Sequence, residues 1–188
     1  EEVGGLVERL SVQAARHCKS MNAQATANTL WALAKLRHSP NESEAKQLLK
    51  NAEYKAGGFN AQNISNLLWA LSKLAIPPSP ELLSRLYARI LHTASDFNEQ
   101  AIANTFHAFS TMGIVPDESV LQALCDRAVQ CREGFGAMGV CMMIRSLDIF
   151  CLLGAKPHHR VWSELARQAQ NTVQDMHLLG VGQTMTAL

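Results

Sequence analysis

A chain of 188 residues with 47% apolar residues, 6% aromatic residues and a formal net charge of +1 can bury a real core, and its composition suits helices better than β structure. The balance is far from the strongly basic one that would announce nucleic-acid binding outright, and it neither demands nor excludes an RNA partner. The five cysteines (Cys18, Cys125, Cys131, Cys141 and Cys151) are odd in number, irregularly spaced and without a CxxC pair, so they read as small buried hydrophobes in a reducing compartment rather than as a disulfide framework. No apolar run is long enough to span a membrane. The chain opens without Met or a signal-peptide pattern and is expected to be the ordered part of a longer protein.

In chain order, residues 1–20 carry the pattern of a second helix from a partial repeat: Leu6 to Leu10 matches Leu82 to Leu86 in register. Four helical segments then align under one another, starting at Met21, Phe59, Phe97 and Phe135, and a shortened fifth starts at Met176. The spacing is 38 residues three times and 41 once. Internal self-similarity of this period predicts an all-α solenoid of about five helix-turn-helix repeats. The array divides into 1–20, 21–58, 59–96, 97–134, 135–175 and the truncated 176–188. The three extra residues of the fourth repeat are expected in the turn 154–160, where insertion is cheap.

The start of each first helix carries a recognisable signal. Phe59 precedes Asn60, a good N-cap, and Ile64 lies where it would staple to Phe59 across the cap. The same pairing recurs as Met21 with Thr26, Phe97 with Ile102, Phe135 with Val140 and Met176 with Val181. Prolines 40, 77, 78, 80, 116 and 157 mark the turns, and the second helices place Leu10, Leu48, Leu86, Leu124 and Leu165 at one equivalent position. Small residues recur at two further places, Ala27, Ser65, Ala103, Cys141 and Gly182, and Ala32, Ala70, Ala108, Ser146 and Ala187. They let neighbouring helices approach closely, and a unit this small buries its apolar face only by stacking on another.

The segment Asn66-Leu67-Leu68-Trp69-Ala70-Leu71-Ser72-Lys73-Leu74, its counterpart Asn28 to Leu36, and the turn Pro77-Pro78-Ser79-Pro80-Glu81-Leu82 resemble the octotricopeptide repeat. That family is related to the helical repeats of RAP-domain and FAST-kinase-like organellar RNA-binding proteins. The likeness covers the whole chain with falling fidelity: His107, Arg145 and Thr186 stand where the family has Trp. It implies an organellar RNA-binding protein, mitochondrial rather than plastid. Such a protein would partner organellar rRNA or mRNA and other protein subunits, in a ribonucleoprotein such as an organellar ribosome or in a transcript-maturation factor.

Opposite the apolar side of each first helix runs a stripe at helical spacing. It holds Gln24, Asn28, Trp31 and Lys35, then Gln62, Asn66, Trp69 and Lys73, then Gln100, Asn104, His107 and Thr111. Following the family's RNA model, amides pair with base edges, aromatics stack on bases and lysines hold phosphates. Asn63 shares a neighbouring position with Ala25 and Ala101 that varies as a reading position would. Two alternatives stay open: an inter-repeat amide ladder through Asn28, Asn66, Asn104 and Gln183, and Trp31 and Trp69 as packing residues between repeats. In the fourth repeat the stripe becomes Met138, Met142, Arg145 and Ile149, a protein-contact surface. The functional alternative is therefore a scaffold subunit of a large organellar complex, and a third reading is a protein-binding solenoid of the HEAT or TPR sort.

Catalytic chemistry has no visible seat. The seven histidines include no HExxH pair, and His158-His159 beside Pro157 reads as a surface turn. There is no Gly-rich phosphate loop, no GxSxG and no paired carboxylates placed for acid–base work. The expectation is a non-enzyme with no cofactor, no metal and no small-molecule substrate.

Overall fold

The structure is a computed structural model that describes residues 2–175. The truncated fifth repeat, 176–188, with its staple Met176–Val181 and the residues Gly182, Gln183, Thr186 and Ala187, lies outside the described residues. Nine α-helices and no strand occur among the described residues, and their successive packing is that of a solenoid-like repeat. In order they are α1 (Glu2–His17), α2 (Ala23–Lys35), α3 (Glu42–Lys55), α4 (Ala61–Leu74), α5 (Pro80–Thr93), α6 (Glu99–Thr111), α7 (Glu118–Gln130), α8 (Ala137–Leu152) and α9 (His159–Thr172). A 3-10 turn follows each of the second helices α1, α3, α5, α7 and α9.

The chain forms two compact units, Glu1–His92 and Thr93–Leu188. In the first, α2 packs on α4 while α3 packs on α1 and α2; in the second, α6 packs on α8, α7 on α9, and each pairs with its hairpin partner. First helices stack on first helices and second on second, which is how a repeat too small to bury its own apolar face acquires a core.

The caps form as the sequence signals them. The side chains of Asn22, Asn60 and Asn98 each accept the main-chain N–H three residues on, at 2.8 Å, satisfying donors that a helix leaves open. The staple residues Phe59 and Ile64, Phe97 and Ile102, and Phe135 and Val140 are all buried. Gly136, without a side chain, starts α8 with no such bond.

Each first helix ends on a residue of positive φ: Arg37 at 54°, Ala75 at 53°, Gly113 at 68° and Gly154 at 93°. The following amide returns to a carbonyl in the last turn, as His38 to Leu33, Ile76 to Leu71, Ile114 to Phe109 and Ala155 to Phe150. This left-handed stop costs a non-glycine residue about 1–2 kcal/mol, and glycine takes it freely in the two later repeats. The same stop locates the insertion of the fourth repeat. Gly154 falls three residues later than register predicts, and the distance from it to the start of the next helix is unchanged. The extra residues therefore lengthen α8 and do not enlarge the turn 154–160. Leu147 and Phe150 are fully buried in this stretch, so apolar periodicity carries the helix through.

The leucines of the second helices separate into two kinds. Leu48, Leu86, Leu124 and Leu165 are buried, whereas Leu10 is 56% exposed. Among the described residues α1 has no first helix of its own to cover that face. Ala32 is exposed for the same reason, although Ala70, Ala108 and Ser146 at the equivalent place are buried.

Candidate nucleic-acid interface

In the first unit α2 and α4 run side by side and present matched stripes. Gln24, Asn28, Trp31 and Lys35 on α2 are exposed; on α4, Gln62 and Lys73 are exposed and Asn66 and Trp69 half-buried. The opposite face of each helix supplies the core through Leu30, Leu33, Ile64, Leu67, Leu68 and Leu71, which fixes the stripe outward.

The two indoles meet at the surface. The Trp31 and Trp69 ring centroids lie 6.4 Å apart with the planes tilted by 42°, inside the range over which aromatic pairs attract. The Lys35 Nζ sits 5.3 Å from both ring centroids, and the Lys73 Nζ 5.9 Å from that of Trp69. Each such cation over an exposed ring contributes on the order of 0.5–1 kcal/mol. Trp31 keeps 37% of its surface open. The tryptophans thus touch across repeats, yet at the rim of the helix layer and not within it. The result is an aromatic platform bordered by two ammonium groups, the combination that single-stranded nucleic acid meets in stacking sites.

Among the described residues no hydrogen bond joins Asn28 to Asn66, so these amides form no ladder. Asn63 corrects the sequence reading. It is 5% exposed, its main-chain N–H donates to the Asn60 side chain, and its own side-chain oxygen accepts from the Asn60 N–H at 3.3 Å. It is the third residue of a capping box, as Ala25 and Ala101 are the third residues of their helices, and its side-chain oxygen is engaged there. The helix start at Ala61 placed it in the cap; the stripe spacing alone did not.

In the second unit Gln100 and Thr111 on α6 are exposed, and Asn104 and His107 half-buried. On α8, Met138 is 68% exposed, Arg145 is exposed, and Met142 and Ile149 are half-buried. Beneath them the Ser110 hydroxyl donates to Ser146 at 3.0 Å, and Ser146 to the Met142 carbonyl at 2.7 Å.

A register of clamps was overlooked in the sequence. The Arg127 Nε donates to the Phe97 carbonyl and the Gln168 Nε2 to the Phe135 carbonyl, both at 2.8 Å, and Arg89 does the same to Phe59. These carbonyls precede the caps and are outside the helical ladder, so a side chain must satisfy them. The signal was present: each donor stands three residues after the repeated leucine. Asn51, the fourth member, donates instead to the Thr26 hydroxyl at 2.8 Å.

Of the cysteines, Cys18, Cys125 and Cys141 are buried as expected, Cys131 is half-buried and Cys151 is exposed; none forms a disulfide. Cys151 departs from the expectation because it lies in the lengthened end of α8. Desolvation, with Asp126 nearby, pushes the Cys125 thiol up to about 12, which leaves it without thiolate character. His158 caps α9 by accepting from the Val161 N–H and faces Asp126 at 3.1 Å. Among the described residues no three His, Cys, Asp or Glu side chains gather as metal ligands, and no helix is long and apolar enough to cross a membrane.

No curated protein matches the sequence. Residues 4–152, from the first turn of α1 to the last residue of α8, match the sequence model of RESC6, the RNA-editing substrate-binding complex 6 protein, and the chain belongs to that family.

Proposed function

We propose that this chain is an RNA-associated, non-catalytic subunit of an RNA-editing substrate-binding complex, and that α2 and α4 hold single-stranded RNA. The observation that carries the reading is the paired Trp31 and Trp69 surface with Lys35 over both rings and Lys73 beside one. The indoles stack on bases and the two lysines neutralise phosphates, while Gln24, Asn28, Gln62 and Asn66 stand near enough on the same faces to read base edges. Gln100, Asn104 and His107 hold the equivalent places on α6. Family membership supports an RNA setting, and the octotricopeptide resemblance of Asn28–Leu36 and Asn66–Leu74 supports an organelle, the mitochondrion before the plastid.

A second reading, a scaffold subunit making protein contacts, is favoured by one observation in the other unit: Met138, Met142 and Ile149 line one face of α8 where its equivalents are polar. Methionine-rich faces adapt to protein partners. The deciding experiment titrates a fluorescent uridine-rich RNA with the full chain and with the double variant Trp31→Ala/Trp69→Ala. Loss of RNA affinity with an unchanged melting curve supports the stacking platform. Undiminished affinity in the double variant overturns the platform and places RNA elsewhere on the chain; no affinity in the parent leaves the scaffold reading.

A further inference from the structure

On the second-helix side of the first unit a cavity of about 430 Å³ opens between the last turn of α1, the 3-10 turn after it and the middle of α3. Its floor is made by Ala15, Cys18 and Asn51, all buried. Its rim carries Arg16, Lys19 and Lys50, and none of the residues lining it is acidic. Tyr54, 80% exposed, stands at the edge with Lys55 Nζ 5.2 Å from its ring centroid. The volume suits one large side chain.

Part of the floor's polar capacity is already used. The Cys18 thiol points to the Gln47 carbonyl at 3.6 Å, and the Asn51 amide donates to Thr26. A base entering here would find little on the floor beyond the Asn51 side-chain oxygen to set against its several edge groups, and those left unmet disfavour it. An apolar side chain has no such edge, and an indole brings only one N–H. The rim charges are available: Arg16 and Lys19 make no ion pair among the described residues, and Lys50, paired to Glu53 at 2.6 Å, is still 79% exposed. A second cavity of about 330 Å³ lies one repeat along, lined by Arg85, Arg89 and His92, where Arg85 and His92 succeed Gln47 and Tyr54 in register. The basic face therefore continues along the second helices.

We infer that this groove docks an acidic peptide segment of a partner protein, which inserts one large apolar side chain between α1 and α3 and sets its carboxylates against Arg16, Lys19 and Lys50. The site is separate in its residues from the Trp31–Trp69 platform and does not depend on RNA being held there. Charge complementarity sets the partner's sign, and the apolar floor favours a large apolar side chain over a base with its several polar edge groups.

The test uses fluorescence anisotropy of a fluorescein-labelled peptide of glutamate and serine with one central tryptophan, titrated with the full chain. Binding is expected to weaken with salt, to need the tryptophan, and to fall about tenfold or more in Arg16→Glu/Lys19→Glu. Because reversed charges at the end of α1 also act on the helix dipole, Arg16→Gln/Lys19→Gln and the exposed, mouth-filling Gln47→Trp are measured beside it, each with its melting curve. A folded Gln47→Trp that still binds the peptide overturns the proposal. So does failure of the peptide to bind, equal binding of a peptide lacking tryptophan, or a uridine-rich RNA that displaces the peptide and shares its dependence on Arg16 and Lys19.

Discussion

The guanidinium of Arg127 donates its Nε–H to the main-chain carbonyl of Phe97, 2.8 Å away, tying a second helix to the chain just before its own repeat's first helix begins. Gln168 makes the same bond to Phe135. Arg127→Ala leaves a carbonyl beside a buried phenylalanine without a donor and is expected to cost about 1–3 kcal/mol. Arg127→Gln restores most of that, as Gln168 already does one repeat on. Chemical denaturation of the three proteins checks both.

Asn63 is 5% exposed and closes a capping box with Asn60. Asn60→Ala is expected to cost about 1 kcal/mol and Asn63→Ala less, since its reciprocal bond is the longer one. RNA affinity in Asn63→Ala should equal that of the parent. A selective loss of RNA binding there, with an unchanged melting curve, would return Asn63 to the reading surface.

On the platform, each tryptophan replaced by alanine should weaken RNA binding by about 1–3 kcal/mol, the cost of one stacked base. Lys35→Gln should reduce the slope of log affinity against log salt by about 0.7, one phosphate's share on a single strand. An unchanged slope would place Lys35 off the RNA path. Stability should fall only slightly in these variants, because the rings lie at the rim.

Glu53 accepts from the Lys50 ammonium and the Ser79 hydroxyl, each at 2.6 Å, and these bonds hold its carboxyl below the usual carboxylate range. The ionised form therefore adds stability at neutral pH, fully present above the ordinary carboxylate value. That contribution is lost as pH falls through the lowered one. Melting temperatures of the parent and Glu53→Gln should differ at neutral pH and converge in acid. A gap that persists at low pH would assign the effect to packing.

Cysteine reactivity should follow exposure and charge. Cys125, its thiol pushed up to about 12, stays unmodified by iodoacetamide in the folded protein, and Cys151 is labelled first. Mass spectrometry of the alkylated chain gives the order, and early labelling of Cys125 would mean that α7 opens.

Much of this molecule was written along the chain, because its contacts repeat with the chain. The helix type, the Asn caps, the staple phenylalanines and the leucines at Leu48, Leu86, Leu124 and Leu165 all follow from local periodicity and capping chemistry, which depend on near neighbours in sequence. The outward direction of Gln24, Asn28, Trp31 and Lys35 followed from the same helical spacing. Other features depend on what lies across from a residue. Leu10 and Ala32 carry the repeat's letters yet face no covering helix. Asn63 has the right spacing for a surface and is consumed by Asn60. The three extra residues lengthen α8 because Leu147 and Phe150 find a core to enter. The meeting of Trp31 with Trp69 under Lys35, and the cavity that opens between α1 and α3, required the stacking of separate repeats. Period and capping are properties of a short stretch of chain and can be read from it. Exposure, pairing and enclosure are properties of two stretches at once, and only tertiary packing decides them.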